Sequence, residues 1–267
     1  MSNVFSSFEI IDGDPSCGIV FLCDHARNSL PEQYGTLGLP EGEFKRHIAY
    51  DIGAEALTLG LAQKLGAPAL HSCFSRLLID PNRGMDDPTI VMGLSDGTVV
   101  PGNHPISGEE IQNRIDSYYA PYHDAVADLI DRCQSTGTNP MIFSIHSFTP
   151  SWRGVHRKWH AAMLWDVDRR LSEFMVDGLG RDSDLIIGDN EPYDGALRND
   201  TLYRHATQRG LAQGLLEVRQ DLISDDAGVN EWIDRLAPLL EEANRRDDMH
   251  TIVNFGSRTD GTARTGN

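Results

Sequence analysis

Gly18-Ile19-Val20-Phe21-Leu22-Cys23 is a continuous apolar run that ends at Asp24-His25-Ala26-Arg27-Asn28. Apolar residues without polar alternation predict a strand buried on both faces, and such a strand needs helices above and below it. The next segment supplies one. Phe44, Ile48, Ile52, Leu57, Leu61 and Leu65 recur at helical spacing over 41–65, and Gly66 closes the segment as a helix-ending glycine does. This helix would carry His47 and Asp51 on nearly one face. Further strands are expected at 68–71, 74–79, 141–145, 159–165, 185–187 and 215–219, with helices at 107–133, 167–179, 197–209 and 230–246. Ser107, with Glu110 three residues on, resembles a capping box, and Pro121 predicts a kink in the helix that follows. Strands alternating with helices predict an α/β fold of three layers, with a largely parallel or mixed central sheet flanked by helices. The stretches 84–106 and 188–195 read as loops of lid-like composition.

The chain has 267 residues, a net charge of −17 and four cysteines. That length suits a single domain over 1–255, with a polar, disordered tail over 256–267. The negative field argues against nucleic acid or an anionic membrane surface as a partner, which leaves a small molecule. No basic leader and no apolar stretch of membrane-spanning length is read, so a soluble, cytoplasmic protein is expected. Cys17, Cys23, Cys73 and Cys133 lack close metal-binding spacing and read as reduced core residues.

The segment Phe74-Ser75-Arg76-Leu77-Leu78-Ile79-Asp80-Pro81-Asn82-Arg83 is an apolar run carrying two arginines, read here as a buried strand and a turn. Buried guanidinium needs an anionic partner, so the two arginines are either structural ion pairs or a clamp for a carboxylate, with Asn82 as an added amide donor. In open α/β sheets the ligand crevice lies beyond the carboxyl ends of the strands. Four expected strands place polar residues there: His25, Asn82-Arg83, His146 and Glu217. Two histidines with a carboxylate from a neighbouring helix make the donor set of a catalytic zinc site with an open position. A glutamate in an apolar strand suits a general base, because burial raises its pKa toward working pH.

The combination Asp24-His25-Ala26-Arg27-Asn28, His47-Ile48-Ala49-Tyr50-Asp51, Arg76 with Asp80-Pro81-Asn82-Arg83, Pro121-Tyr122-His123, Ile145-His146-Ser147, Arg204-His205 and Leu216-Glu217-Val218-Arg219 resembles the N-formylglutamate amidohydrolase family. The resemblance covers roughly 18–223. Its Asp-Pro-Asn-Arg element is shared with carboxypeptidase-type and aspartoacylase-like zinc hydrolases, and it implies a zinc-exopeptidase-like fold. It implies a divalent metal, most simply zinc, on His25 and His146. The wider superfamily's acidic ligand position is occupied here by Asn28, a poor ligand; Asp51 is the substitute, with Asn28 or His47 as alternatives. Glu217 then fits the base that activates water and protonates the leaving amine. Arg76 fits the group that polarises the scissile carbonyl or holds a carboxylate, and Asn82-Arg83 the clamp on the α-carboxylate. Arg204 and His205 would serve a side-chain carboxylate, and Tyr193 would reach the substrate from its loop. The implied reaction hydrolyses N-formyl-L-glutamate, or a similar N-acyl amino acid, to formate or another acid and the free amino acid, a step of histidine degradation. A deacylase or small-peptide hydrolase of different acyl specificity and a non-catalytic dicarboxylate-binding protein are the alternatives.

Overall fold

The computed structural model describes residues 5–261, and its centre is a seven-stranded mixed sheet. In chain order the strands are β1 (Phe8–Ile11), β2 (Ile19–Cys23), β3 (Ala69–Ser72), a small hairpin of β4 (Leu94–Ser95) and β5 (Thr98–Val99), then β6 (Met141–Phe148). A second hairpin, β7 (Ser151–Trp152) and β8 (Val155–His156), precedes β9 (Ala161–Leu164), β10 (Ile187–Asp189) and β11 (Gln213–Arg219). The sheet order is β1-β3-β2-β6-β11-β9-β10. The central strands β3, β2, β6 and β11 run parallel, while β1 pairs antiparallel with β3 and β9 antiparallel with β11.

Strand β2 shows why the first apolar run demands three layers. Ile19, Phe21 and Cys23 face a core shared with Leu57 and Leu61 of α1 (Ala54–Leu65), and with residues of α4 (Arg170–Leu179) and α6 (Asp226–Asn244). Val20 and Leu22 face the opposite core, closed by Tyr122, Val126, Leu129 and Ile130 of α3 (Ala120–Gln134). Each of these fully buried side chains contributes about 1.5–3 kcal/mol relative to exposure. α2 (Gly108–Arg114) leads into α3 through a wide π-turn, Ile115–Tyr119, which falls before Pro121, and Ser107 Oγ accepts the Glu110 amide at 3.1 Å as the capping box required.

Two expected elements are corrected. The helix over 41–65 begins only at Ala54: Gly53 adopts φ 82°, and a Cβ there would lie 2.1 Å from the Ile223 carbonyl oxygen. His47 and Asp51 therefore sit on the turns before α1 rather than on one helical face. The run 74–79 is buried except for the partly exposed Arg76, but it is a turn, not a strand. Its polar backbone is satisfied by neighbouring loops: Ser75 N donates to Ser29 O at 2.8 Å and Arg76 N to Ala49 O at 3.2 Å. At the carboxyl end, Arg258 pairs with Asp166 and Asp194, tying down a segment expected to be disordered. The remainder of that tail, 262–267, lies outside the described residues. Among the described residues no helix is long and apolar enough to cross a membrane.

Candidate active site

The carboxyl ends of β2, β6 and β11 converge on a cavity of about 430 Å³. It is lined by His25, His47, Asp51, Arg76, Asn82, Arg83, His146, Tyr193 and Glu217, together with Phe148, Trp152 and Asp200. The parallel pairing of β6 with β11 sets His146 directly beside Glu217. Asp51 is brought to them because its amide donates to the His25 carbonyl at 2.9 Å, stitching the turn before α1 to the end of β2.

His25, Asp51 and His146 are all buried, and their ligating atoms lie within 4.8 Å of one another. Both nitrogens of each ring face carboxylates. His25 Nε2 is 2.7 Å from Asp80 Oδ1 and its Nδ1 3.3 Å from Asp51 Oδ2. His146 Nε2 is 3.3 Å from Asp24 Oδ2 and its Nδ1 2.8 Å from the same Asp51 oxygen. A neutral imidazole carries one N–H, so one nitrogen of each ring would meet an oxygen with lone pair against lone pair. A cation held by His25, Asp51 and His146 would remove that conflict, leaving the remaining N–H of each ring to donate to Asp80 or Asp24. Without one, a proton must do the work: burial opposes charge on His146, but hydrogen bonds to Asp24 and Asp51 push its pKa up to about 10. Burial likewise opposes ionisation of Asp24, yet the His146 bond and charge hold it near about 2. The three residues could hold a metal. Of the alternatives, Asn28 donates to Phe44 O at 2.6 Å and is outside the cluster, and His47 approaches Asp96 at 3.4 Å.

Glu217 lines the same cavity, and one of its carboxyl oxygens is buried with no hydrogen-bond partner. Burial pushes its pKa up to about 7; the Asp51 charge adds to that shift, and His146, His25 and Arg76 oppose it. Arg219 leaves it free by pairing with Asp221 at 2.7 Å.

The Asp-Pro-Asn-Arg turn is held from behind. Asp80 accepts Asn82 N at 3.0 Å and Arg76 Nη2 at 2.7 Å besides His25. Asn82 Oδ1 accepts Thr201 N at 3.2 Å, and the Arg83 carbonyl accepts the Tyr119 hydroxyl at 2.6 Å. Arg83 itself donates to the Asn82 carbonyl and forms no ion pair among the described residues; its charge acts on Asp80 and Asp200, and its side chain lines the cavity.

Arg204 and His205 are not brought to this cavity; they line a separate one on the far side of the turn. His205 Nε2 lies 2.9 Å from His123 Nδ1, and His123 Nε2 lies 3.0 Å from Pro81 O. The carbonyl can only accept, so His123 carries its proton on Nε2 and His205 donates into the Nδ1 lone pair. Burial holds both rings neutral, at about 3 for His123 and about 4 for His205. Sequence reading missed Asp24, although it directly precedes His25, and it missed the aromatic wall of Phe148 and Trp152, whose sequence carries no periodic signal.

A family model described as N-formylglutamate amidohydrolase matches residues 17–224. Among solved structures, a gene product of Agrobacterium tumefaciens is 30% identical, with a TM-score of 0.83 over 89% of this chain and 94% of that one. An N-formylglutamate amidohydrolase from Ralstonia eutropha JMP134 is 22% identical, with a TM-score of 0.62 over 89% of this chain and 97% of that one, a likeness of fold. No match is found among curated proteins.

Proposed function

The chain belongs to the N-formylglutamate amidohydrolase family and is a hydrolase, and on that premise we propose that it cleaves the amide bond of N-formyl-L-glutamate or a closely similar N-acyl amino acid. The observation that carries this reading is Glu217: a raised pKa and an unpartnered buried oxygen, in one cavity with a three-donor cluster and an arginine that forms no ion pair among the described residues.

His25, Asp51 and His146 would hold a divalent metal, and two imidazoles with one carboxylate favour zinc. When bound, such a metal supplies Lewis-acid activation of water and of the acyl carbonyl. Glu217 accepts the proton of the attacking water and returns it to the leaving nitrogen, a task suited to a carboxyl that titrates at about 7. Asn82 and Arg83 clamp the α-carboxylate through charge-assisted hydrogen bonds of about 1.5–3 kcal/mol each, which fixes the amide in line with Glu217. Arg76 lies between Asp51 and Asp80 with its Nε unpartnered, and it directs positive charge at the position where the carbonyl oxygen becomes anionic. Tyr193 closes the mouth over the substrate. Arg204 and His205 do not touch the substrate; His205 acts on the clamp through His123.

A panel of N-formyl, N-acetyl and N-succinyl amino acids, assayed with and without chelator, tests the reading. Turnover of N-formyl-L-glutamate above the other members is the expected result. No hydrolysis of any member by metal-loaded protein refutes it, and a preference for another acyl group moves the substrate within the family.

A further inference from the structure

The described residues include three buried arginines: Arg114, Arg157 and Arg219. Arg114 pairs with Glu110 and Arg219 with Asp221. Arg157 has no carboxylate partner among the described residues, although it is only 8% exposed and its Nη1 is buried without a hydrogen bond. Its backbone is fixed at both ends of the peptide unit, N to Pro150 O at 2.9 Å and O to Arg219 Nη1 at 3.2 Å. The guanidinium carbon sits 5.4 Å from the Phe148 ring, 5.7 Å from Trp152 and 4.9 Å from Tyr193. All three rings line the cavity that contains Glu217 and Arg83; Arg157 itself lines the adjoining cavity, which shares Trp152 and Tyr193 with that one. Aromatic faces attract the cation, but they bring no negative charge to it. In a chain of net charge −17, a buried guanidinium that no carboxylate has claimed is suited to an anion from outside.

An N-acyl glutamate has two carboxylates, and the Asn82-Arg83 clamp accounts for one. The other basic side chains near the cavity are engaged elsewhere. Arg76 is held by Asp80 and Asp51, and His47 is set against Asp96. Arg204 and His205 face a cavity that shares no lining residue with this one. We propose that Arg157 binds the side-chain carboxylate of a dicarboxylic N-acyl amino acid within the ring of Phe148, Trp152 and Tyr193, and so sets selectivity for acidic substrates. This inference rests on the proposed hydrolysis and names its side-chain specificity. Phe148, 3% exposed, is the fixed back of this subsite. Trp152 and Tyr193, 37% and 42% exposed, stand at the mouth, and the carboxylate enters past them.

The test compares kcat/KM for N-formyl-L-glutamate and its neutral isostere N-formyl-L-glutamine in the wild type, Arg157→Gln and Arg157→Lys. The wild type should prefer glutamate, Arg157→Gln should lose at least ten-fold of that preference, and Arg157→Lys should keep part of it. A glutamate-to-glutamine ratio within two-fold of wild type in Arg157→Gln overturns the proposal, since a purely structural role lowers both rates together. Calorimetric titration with glutarate, which needs no turnover, separates this inference from the reaction. Weaker glutarate binding in Arg157→Gln supports the subsite even if no panel member is hydrolysed, and unchanged binding overturns it. Where Arg157→Gln does not fold, Arg157→Lys decides by the same ratio.

Discussion

Glu217 is the residue on which the chemistry turns. Its pKa of about 7 comes first from burial and next from the Asp51 charge. A general base works deprotonated, so kcat/KM should rise about ten-fold per pH unit below this pKa and level off above it. Glu217→Gln removes the base while keeping its shape. It should lower kcat by about 10²–10⁴-fold with KM changed only a few-fold, and it should abolish that acidic limb. Equal loss in kcat and substrate affinity would assign the residue to binding instead. Among the proposed ligands, Asp51 is the critical choice because both Nδ1 atoms and the Ser147 amide converge on one of its oxygens. Asp51→Asn should reduce zinc content, measured by elemental analysis, below about a tenth of the wild-type value, within the 10–100-fold range typical of losing a supporting group or more. Retained stoichiometric zinc would place the third ligand elsewhere.

At the scale of elements, what matters is how short segments are locked against one another. The turn carrying Asn82 and Arg83 takes part in no sheet; its position depends on Asp80 within it and on the chain from His205 to His123 to the Pro81 carbonyl. His205→Ala breaks that chain at its outer end, away from the cavity. KM for carboxylate-bearing substrates should rise about ten-fold with kcat within two-fold, and His205→Gln, whose Nε2 can still donate, should restore KM. Loss of kcat and KM together, without rescue by Gln, would reduce the pair to a fold-stability role. The same locking explains the two misread elements. Helical spacing over 41–65 was real in the apolar residues, but a left-handed Gly53 pressed on the Ile223 carbonyl stops the helix, a contact made by a residue 170 positions later. The apolar run 74–79 satisfied a strand pattern, yet the space beside β3 is already filled by β1 and β2, so its backbone pairs with loops.

For the whole molecule, the site couples to stability because its donors come from segments spread along most of the chain. Asp24 and His25 follow β2, Asp51 precedes α1, and His146 and Glu217 belong to β6 and β11. A ligand that binds the native state and not the unfolded one stabilises it by RT ln(1 + [L]/Kd), about 2.7 kcal/mol at a hundred-fold excess over Kd. Chelation should therefore lower Tm by several degrees and zinc should restore it, read by differential scanning calorimetry. The same Tm with and without metal would argue that the His25-Asp51-His146 cluster is empty in solution. The net charge of −17 leaves anion recognition to local cations: Arg83 lines the cavity, and Arg157 stands beside it against Phe148 and Tyr193 of its wall.

From its residues alone the chain determined its layering: a strand apolar on both faces must be covered twice, and β2 is covered by α1 on one side and α3 on the other. It also marked His25, His146, Asn82, Arg83 and Glu217, because polar residues at the ends of apolar runs are local and visible. The zinc-like grouping of Asp51 with the two histidines rested on a family resemblance, and the structure brings those three together. Only the tertiary structure decided that Arg204 and His205 face away from the cavity and that Arg157, unremarkable between two short exposed strands and β9, stands behind its aromatic wall. The reason is physical. Periodicity reports which face of an element is buried, whereas which charges meet in one cavity depends on contacts between residues far apart in the chain.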